Sequence, residues 1–210
     1  MSEICRQLHE LFNVKTRLRF PFDETAIPLN GVYILFEKGE YAHNMDRIVR
    51  VGSHTGADNL RKRLHEHFLN ENKDRSIFRK HIGRALLVKA DDPFLEQWEW
   101  DLTSRAAKDK YDPLLDRAKQ DKVETLVTAY IRDNFSFTVF RVDEKNIRLE
   151  IEKALIGTLS NCHTCRPSPS WLGLHSPYAK IRESGLWHIQ HLYKRQLSQQ
   201  VYELYKAYFA

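Results

Sequence analysis

The run GVYILFE, residues 31–37, followed by RIVRVGS, residues 47–53, and NLRKRLHEHF, residues 59–68, decides how this chain folds. The first two runs alternate side chains with period two and are rich in Val and Ile, the pattern of paired, half-buried strands. The polar stretch between them, Lys38 to Asp46, holds Gly39 and Asn44 and reads as the turn of a hairpin. After the loop HTGAD, Asp58 or Asn59 can cap a helix in which Leu60, Leu64 and Phe68 recur every four residues. Arg63 and His67 are also four apart and share another face of that helix.

Alternation settles which side chains meet. In the first strand Val32, Ile34 and Phe36 point one way, and Tyr33 and Leu35 the other. In the second, Arg50 alternates with Val49 and Val51. Pairing the two strands places Tyr33 and Arg50 on one surface, overlooked by Arg63 and His67. A phenol, two guanidiniums and an imidazole gathered there suit a phosphodiester, because a guanidinium fork matches phosphate oxygens.

On the N-terminal side, Ser2 to Phe12 has the spacing of a short amphipathic helix. Lys15, Arg17 and Arg19, interleaved with Leu18 and Phe20, form either a strand or a basic arm. On the C-terminal side, Ile77 to Val88 reads as a helix, alone or leading into a strand, and Arg79 and Lys80 within it are placed for phosphate contacts. Residues 91–134 are acidic and helical in pattern, with a break at Tyr111 to Pro113. They form an insertion that either governs access to the site or braces the domain. FSFTVFRV, residues 135–142, is a third strand. Asn146 opens a helix with the apolar stripe Ile147, Ile151, Leu155 and Leu159, and Glu152 lies off that stripe. Residues 178–210 form a helical extension rich in tyrosine.

The composition fits one embellished domain: 210 residues, 42% hydrophobic and 29% charged. No run approaches the 18 or so apolar residues of a membrane span, and no signal-peptide core opens the chain, so a cytoplasmic protein is expected. The formal charge of +5 is uneven, with basic ends around an acidic middle, which suits a partner that is a polyanion. Three cysteines are too few, and odd in number, for a disulfide framework. Cys162 and Cys165 offer two thiolates at zinc spacing, but a structural site needs four ligands and no second pair matches, so zinc is not expected.

Taken in order, Gly31-Val32-Tyr33, Arg50-Val51-Gly52, Arg63 within NLRKRL and Glu152 at the head of EKALI (residues 152–156) resemble the signature of the GIY-YIG nucleases. The Arg63 and His67 pair is similar to that of the restriction-enzyme branch. The resemblance implies an α/β (α+β) fold with a small three-stranded, mainly antiparallel sheet flanked by helices. It makes residues 1–210 one domain carrying the helical insertion 91–134 and the extension 178–210. It also implies a metal-dependent endonuclease acting on DNA. Glu152 would hold one Mg²⁺ or Mn²⁺, Arg63 would clamp the phosphate, and Tyr33 would be the general base. His67 would assist it or be the base itself.

One departure stands out. Arg50 occupies the place of the family's second tyrosine, and a guanidinium keeps its proton near neutral pH. Arg50 is therefore assigned to nucleic-acid binding, with His54, Lys62, Arg79 and Lys80. The departure keeps a catalytically silent nucleic-acid-binding module open as an alternative, and the acidic helices a protein-interaction scaffold. DNA is the expected partner, and a homodimer would allow a restriction-type enzyme to cut both strands.

Overall fold

The structure, a computed structural model, describes residues 2–209; Met1 and Ala210, the outermost residues of the expected domain and extension, lie outside the described residues. Four strands form one antiparallel sheet: β1 (Leu18–Arg19), β2 (Gly31–Ala42), β3 (Met45–Gly52) and β4 (Phe135–Arg141), in the order β1-β4-β2-β3. That is one strand more than expected, because the segment read as strand or basic arm supplies the two-residue β1. Arg17 beside it is no arm: its guanidinium lies 3.4 Å over the Phe36 ring and donates to Asp46 and Ser136.

The hairpin strands run further than the sequence pattern suggested. Polar Lys38 to Tyr41 continues β2, and the turn is only His43-Asn44, both left-handed at φ 53° and 63°. Such a turn matches the twist of the flanking strands. Val32, Ile34 and Phe36 join a cluster on one side of the sheet, while Tyr33, Leu35 and Val49 join a cluster on the other. The strands are thus buried on both faces instead of one, which accounts for a run as continuously apolar as GVYILF.

Helices cover both faces. In chain order they are α1 (Ser2–Asn13), α2 (Leu60–Phe68), α3 (Ile77–Lys89), α4 (Leu95–Glu99), α5 (Arg105–Tyr111), α6 (Arg117–Asn134), α7 (Lys145–Ser160), α8 (Ala179–Ser184) and α9 (Gln199–Lys206). The Tyr33 face receives α2, α3 and α6 through Leu64, Phe68, Phe78, Ile82 and Val127. The opposite face receives α1, α7 and α9 through Leu8, Phe12, Ile151, Leu155 and Tyr202. The expected break in the insertion is a 3-10 turn at Asp112–Leu114.

The extension is not one helix. Between α8 and α9 the chain runs irregularly along the exposed edge of β3. There the Trp187 amide donates to the Val49 carbonyl (2.9 Å), and the Val51 amide donates to Nε2 of His188 (3.1 Å). This seals an edge that would otherwise present free backbone groups. Buried Glu37 fastens the outer parts to β2: it accepts from the indoles of Trp171 and Trp187 and from the Tyr130 hydroxyl. Among the described residues no helix is long and apolar enough to cross a membrane.

Candidate active site

Strand register fixes the first element of the site. Tyr33 on β2 pairs with Gly52 on β3, and a Cβ at Gly52 would sit 2.2 Å from the phenol oxygen and from the ring carbon that bears it. Only glycine leaves room for the phenol to cross the neighbouring strand, so Tyr33 and Gly52 are one device. The hydroxyl ends 2.7 Å from Nε2 of His67 on α2, whose Nδ1 lies 2.7 Å from Oγ of Ser76. Ser76 is itself fixed as the N-cap of α3, accepting the Arg79 amide. Burial pushes the His67 imidazole well below its ordinary pKa, with Arg63, Arg50 and Arg79 adding to the effect, so the ring is neutral.

Arg50 stands on the same face. Arg50 lies opposite Leu35 in the same register that pairs Tyr33 with Gly52, and the β-bulge follows, between Leu35 and Phe36. Its guanidinium donates to the Trp187 carbonyl and lies 5.2 Å over the Phe78 ring, while its Nε is buried without a hydrogen-bond partner. Arg63, one turn before His67, donates to Glu66 (2.8 Å) and to the Arg75 carbonyl (2.9 Å). Burial works against its charge, but Tyr33 and Glu66 beside it outweigh that and hold the guanidinium above its ordinary pKa.

Glu152 comes from the opposite layer. The α7 stripe packs beneath the sheet, and Glu152, off that stripe, reaches the C-terminal end of edge strand β3. There the Ser53 hydroxyl donates to Oε2 of its carboxylate. Arg50, Arg63 and Glu152 consequently line one cleft of about 300 Å³, with His81, Trp187 and His188 among the other residues of its wall. Tyr33 is 1% exposed and stands behind Arg63, not in the cleft wall itself.

The remaining candidates take other places. His54 is buried: Nε2 accepts the Gly31 amide (3.3 Å) and Nδ1 bonds the Gly56 carbonyl (2.7 Å), so it shapes the loop after β3. Lys62 is exposed on α2. Arg79 and Lys80 are corrected from surface cations to interior ones. Arg79 is 0% exposed and clamped to Glu124 of α6 at 2.7 Å, and Lys80 donates to the Glu99 carbonyl at 2.9 Å. The helix is buried on nearly every side, by α4 and α6 of the insertion and by the turn Leu172–His175, and its basic residues Arg79, Lys80 and Arg84 serve α4 and α6. Sequence reasoning did not single out Ser53, His81 and His188. Ser53 directly follows Gly52 and was within reach; the two histidines enter through tertiary packing that no local pattern encodes.

Arginines and a helix carboxylate around a groove at a sheet edge, with a buried phenol-imidazole pair behind them, are what a nuclease-type domain needs. The sequence profile of the GIY-YIG domain matches residues 1–208, and the chain belongs to that family, whose members carry nuclease-type activity. Comparison with curated proteins and with solved structures gives no match.

Proposed function

We propose that the protein is a metal-dependent endonuclease that hydrolyses phosphodiester bonds of DNA. The observation that carries the reading is the meeting of Glu152, from beneath the sheet, with Arg50 and Arg63, from above it, in one cleft. A half-buried carboxylate oriented by a serine hydroxyl is a hard oxygen donor set that suits Mg²⁺ or Mn²⁺. An ion held by Glu152 would supply positive charge for the phosphate oxygens.

The chain's own residues do the rest. Arg63 and Arg50, which both line the cleft, neutralise the nonbridging oxygens. Neutral His67 accepts a hydrogen bond from the Tyr33 hydroxyl at Nε2 and so holds the phenol in place. Tyr33, against Arg63 of the cleft wall, takes the proton of the attacking water. Nicking of supercoiled DNA by the purified chain with Mg²⁺ or Mn²⁺ tests the reading. Glu152→Gln and Arg63→Ala are each expected to lower the rate by a factor on the order of 10² or more with an unchanged fold. Absence of nicking on any DNA would overturn it.

One observation favours the silent binding module as a second reading: the burial of Tyr33 behind the cleft wall. That module would bind DNA in a salt-sensitive manner without turnover, so a binding titration beside the nicking assay separates the two. Cutting both strands at once would call for a second copy, which sedimentation on DNA would reveal.

A further inference from the structure

The three cysteines, far apart in sequence, converge on the face of the sheet opposite Tyr33. Cys5 lies on α1, and Cys162 and Cys165 lie on the loop that follows α7. His43 projects from the hairpin tip between them. Sγ of Cys5 is 3.4 Å from Sγ of Cys165, and Nε2 of His43 is 3.2 Å from Sγ of Cys165 and 3.6 Å from Sγ of Cys162. The Cys162 thiol, joined to the cluster through His43, also lies 3.2 Å from the Thr164 hydroxyl.

We propose that Cys5, His43, Cys162 and Cys165 form a structural zinc site. A tetrahedral ion with Zn–S of about 2.3 Å and Zn–N of about 2.0 Å sets sulfurs roughly 3.8 Å apart and sulfur from nitrogen roughly 3.5 Å. The observed separations lie within a few tenths of an ångström of those values. They are too long for a disulfide, whose sulfurs stand about 2.05 Å apart. Three thiolates and an imidazole form a soft set that selects zinc over magnesium or calcium. Four protein ligands leave no open position, as a structural site requires.

Two further features fit. His43 occupies the first position of a two-residue turn, where Asn, Asp or Gly is usual, and takes up the left-handed conformation at φ 53°. The residue chosen there is one that can ligate. His9 is the nearest other donor, with a ring nitrogen within 4.8 Å of the ligand atoms of Cys5, His43 and Cys165. Both its nitrogens are engaged, however. Nε2 accepts the Ile48 amide at 3.2 Å, which leaves Nδ1 to donate to the Cys5 carbonyl at 2.8 Å. His9 therefore positions Cys5, and Cys162 is the fourth ligand. His163, between the paired cysteines, is exposed, whereas Cys162 and Cys165 are buried.

The site joins α1, the hairpin tip and the loop leaving α7, and so pins the helix that carries Glu152 against the sheet. It shares no residue with the cleft and does not depend on the nuclease reading. The full chain, purified without chelator from zinc-replete medium, is expected to carry about one zinc per molecule by mass spectrometry. Glu152→Gln should keep that zinc, whereas Cys162→Ser and Cys165→Ser should lose it and melt roughly 10 °C lower. Should the serine variants fail to fold, cobalt substitution of the wild-type chain decides: thiolate-to-cobalt charge transfer with intense tetrahedral d–d bands is expected. A folded wild-type chain without zinc and unmoved in melting by added zinc would overturn the proposal. So would a different ion in its place, or a disulfide between Cys5 and Cys165.

Discussion

The Tyr33 hydroxyl lies 2.7 Å from Nε2 of His67, a pairing of a strand phenol with a buried helix imidazole 34 residues away. Each group is nearly or wholly cut off from water, and Ser76 holds the other ring nitrogen of His67. Removing one of the pair leaves the facing polar atom of the other buried without this partner, at a cost of about 1–3 kcal/mol. If the pair relays the water's proton, Tyr33→Phe and His67→Ala should each slow cleavage by about 10²–10⁴-fold while DNA affinity stays near wild type. A Tyr33→Phe protein that cleaves at the wild-type rate would take the phenol out of the chemistry.

Gly52 should be almost as sensitive as the residues that act. Its missing side chain is the channel through which the Tyr33 ring passes, and a methyl there would sit 2.2 Å from the phenol oxygen. Gly52→Ala must push the ring away from His67. The expected result is a stability loss of about 1–3 kcal/mol together with a fall in rate comparable to that of Tyr33→Phe. Unfolding titrations and nicking rates on one preparation check both, and an unaltered rate would show that the phenol's position does not matter.

The arginines divide into two kinds, and substitution should separate them. Arg79 is wholly buried against Glu124, with bonds to Thr128 and the His67 carbonyl. Arg79→Ala strands a carboxylate in the interior and is expected to cost about 3–5 kcal/mol. Arg63→Ala removes a cleft residue that is 21% exposed and whose bonds go to Glu66 and a loop carbonyl, and it should cost far less stability than Arg79→Ala while it abolishes cleavage. Lys62→Ala, on the open surface of α2, should change neither by much and only reduce the salt dependence of DNA binding. A reversed pattern in the denaturation midpoints would refute the division.

Much of this was legible in the sequence because it is carried by local periodicity. The alternation around Tyr33 and the four-residue spacing of Arg63 and His67 predict a shared surface; the hairpin and α2 do bring Tyr33 and His67 together, but in the interior, and only Arg50 and Arg63 reach the cleft. Glu152 was legible only through the resemblance, by its place at the head of EKALI after the other motif elements, since a glutamate off an apolar stripe is by itself an ordinary solvated residue. What escaped depends on packing between distant segments. Arg79 and Lys80 look like surface cations until the insertion closes over α3, because nothing in RSIFRK shows that Glu124 will fold onto it. The cysteine cluster escaped for the same reason. Two of its ligands form a spaced pair, but Cys5 and His43 reach it only through the packing of α1 and the exact length of a hairpin whose turn was read too wide.

Acid stability offers a test of the buried imidazoles. His81 in the cleft wall is pushed down to about 3, first by burial and then by the cations Arg84, Arg50 and Lys80. Burial likewise drives His67 and His188 well below the ordinary value, with Arg50 near both. In the unfolded chain each titrates near pH 6.5, so below that pH the unfolded state binds protons that the folded state refuses. The stabilisation is complete above about pH 6.5 and is lost as pH falls toward each folded value, for His81 about 3. Each such histidine contributes a slope of about 1.4 kcal/mol per pH unit across that window. Carboxylates titrate there too, so the comparison must be differential. His81→Gln, whose amide oxygen can still accept from Arg84, should flatten the fall of the urea midpoint between pH 6 and pH 4 by about one proton equivalent. Identical slopes in wild type and variant would mean that His81 is charged in the native state, and the cleft wall would then be more basic than its geometry indicates.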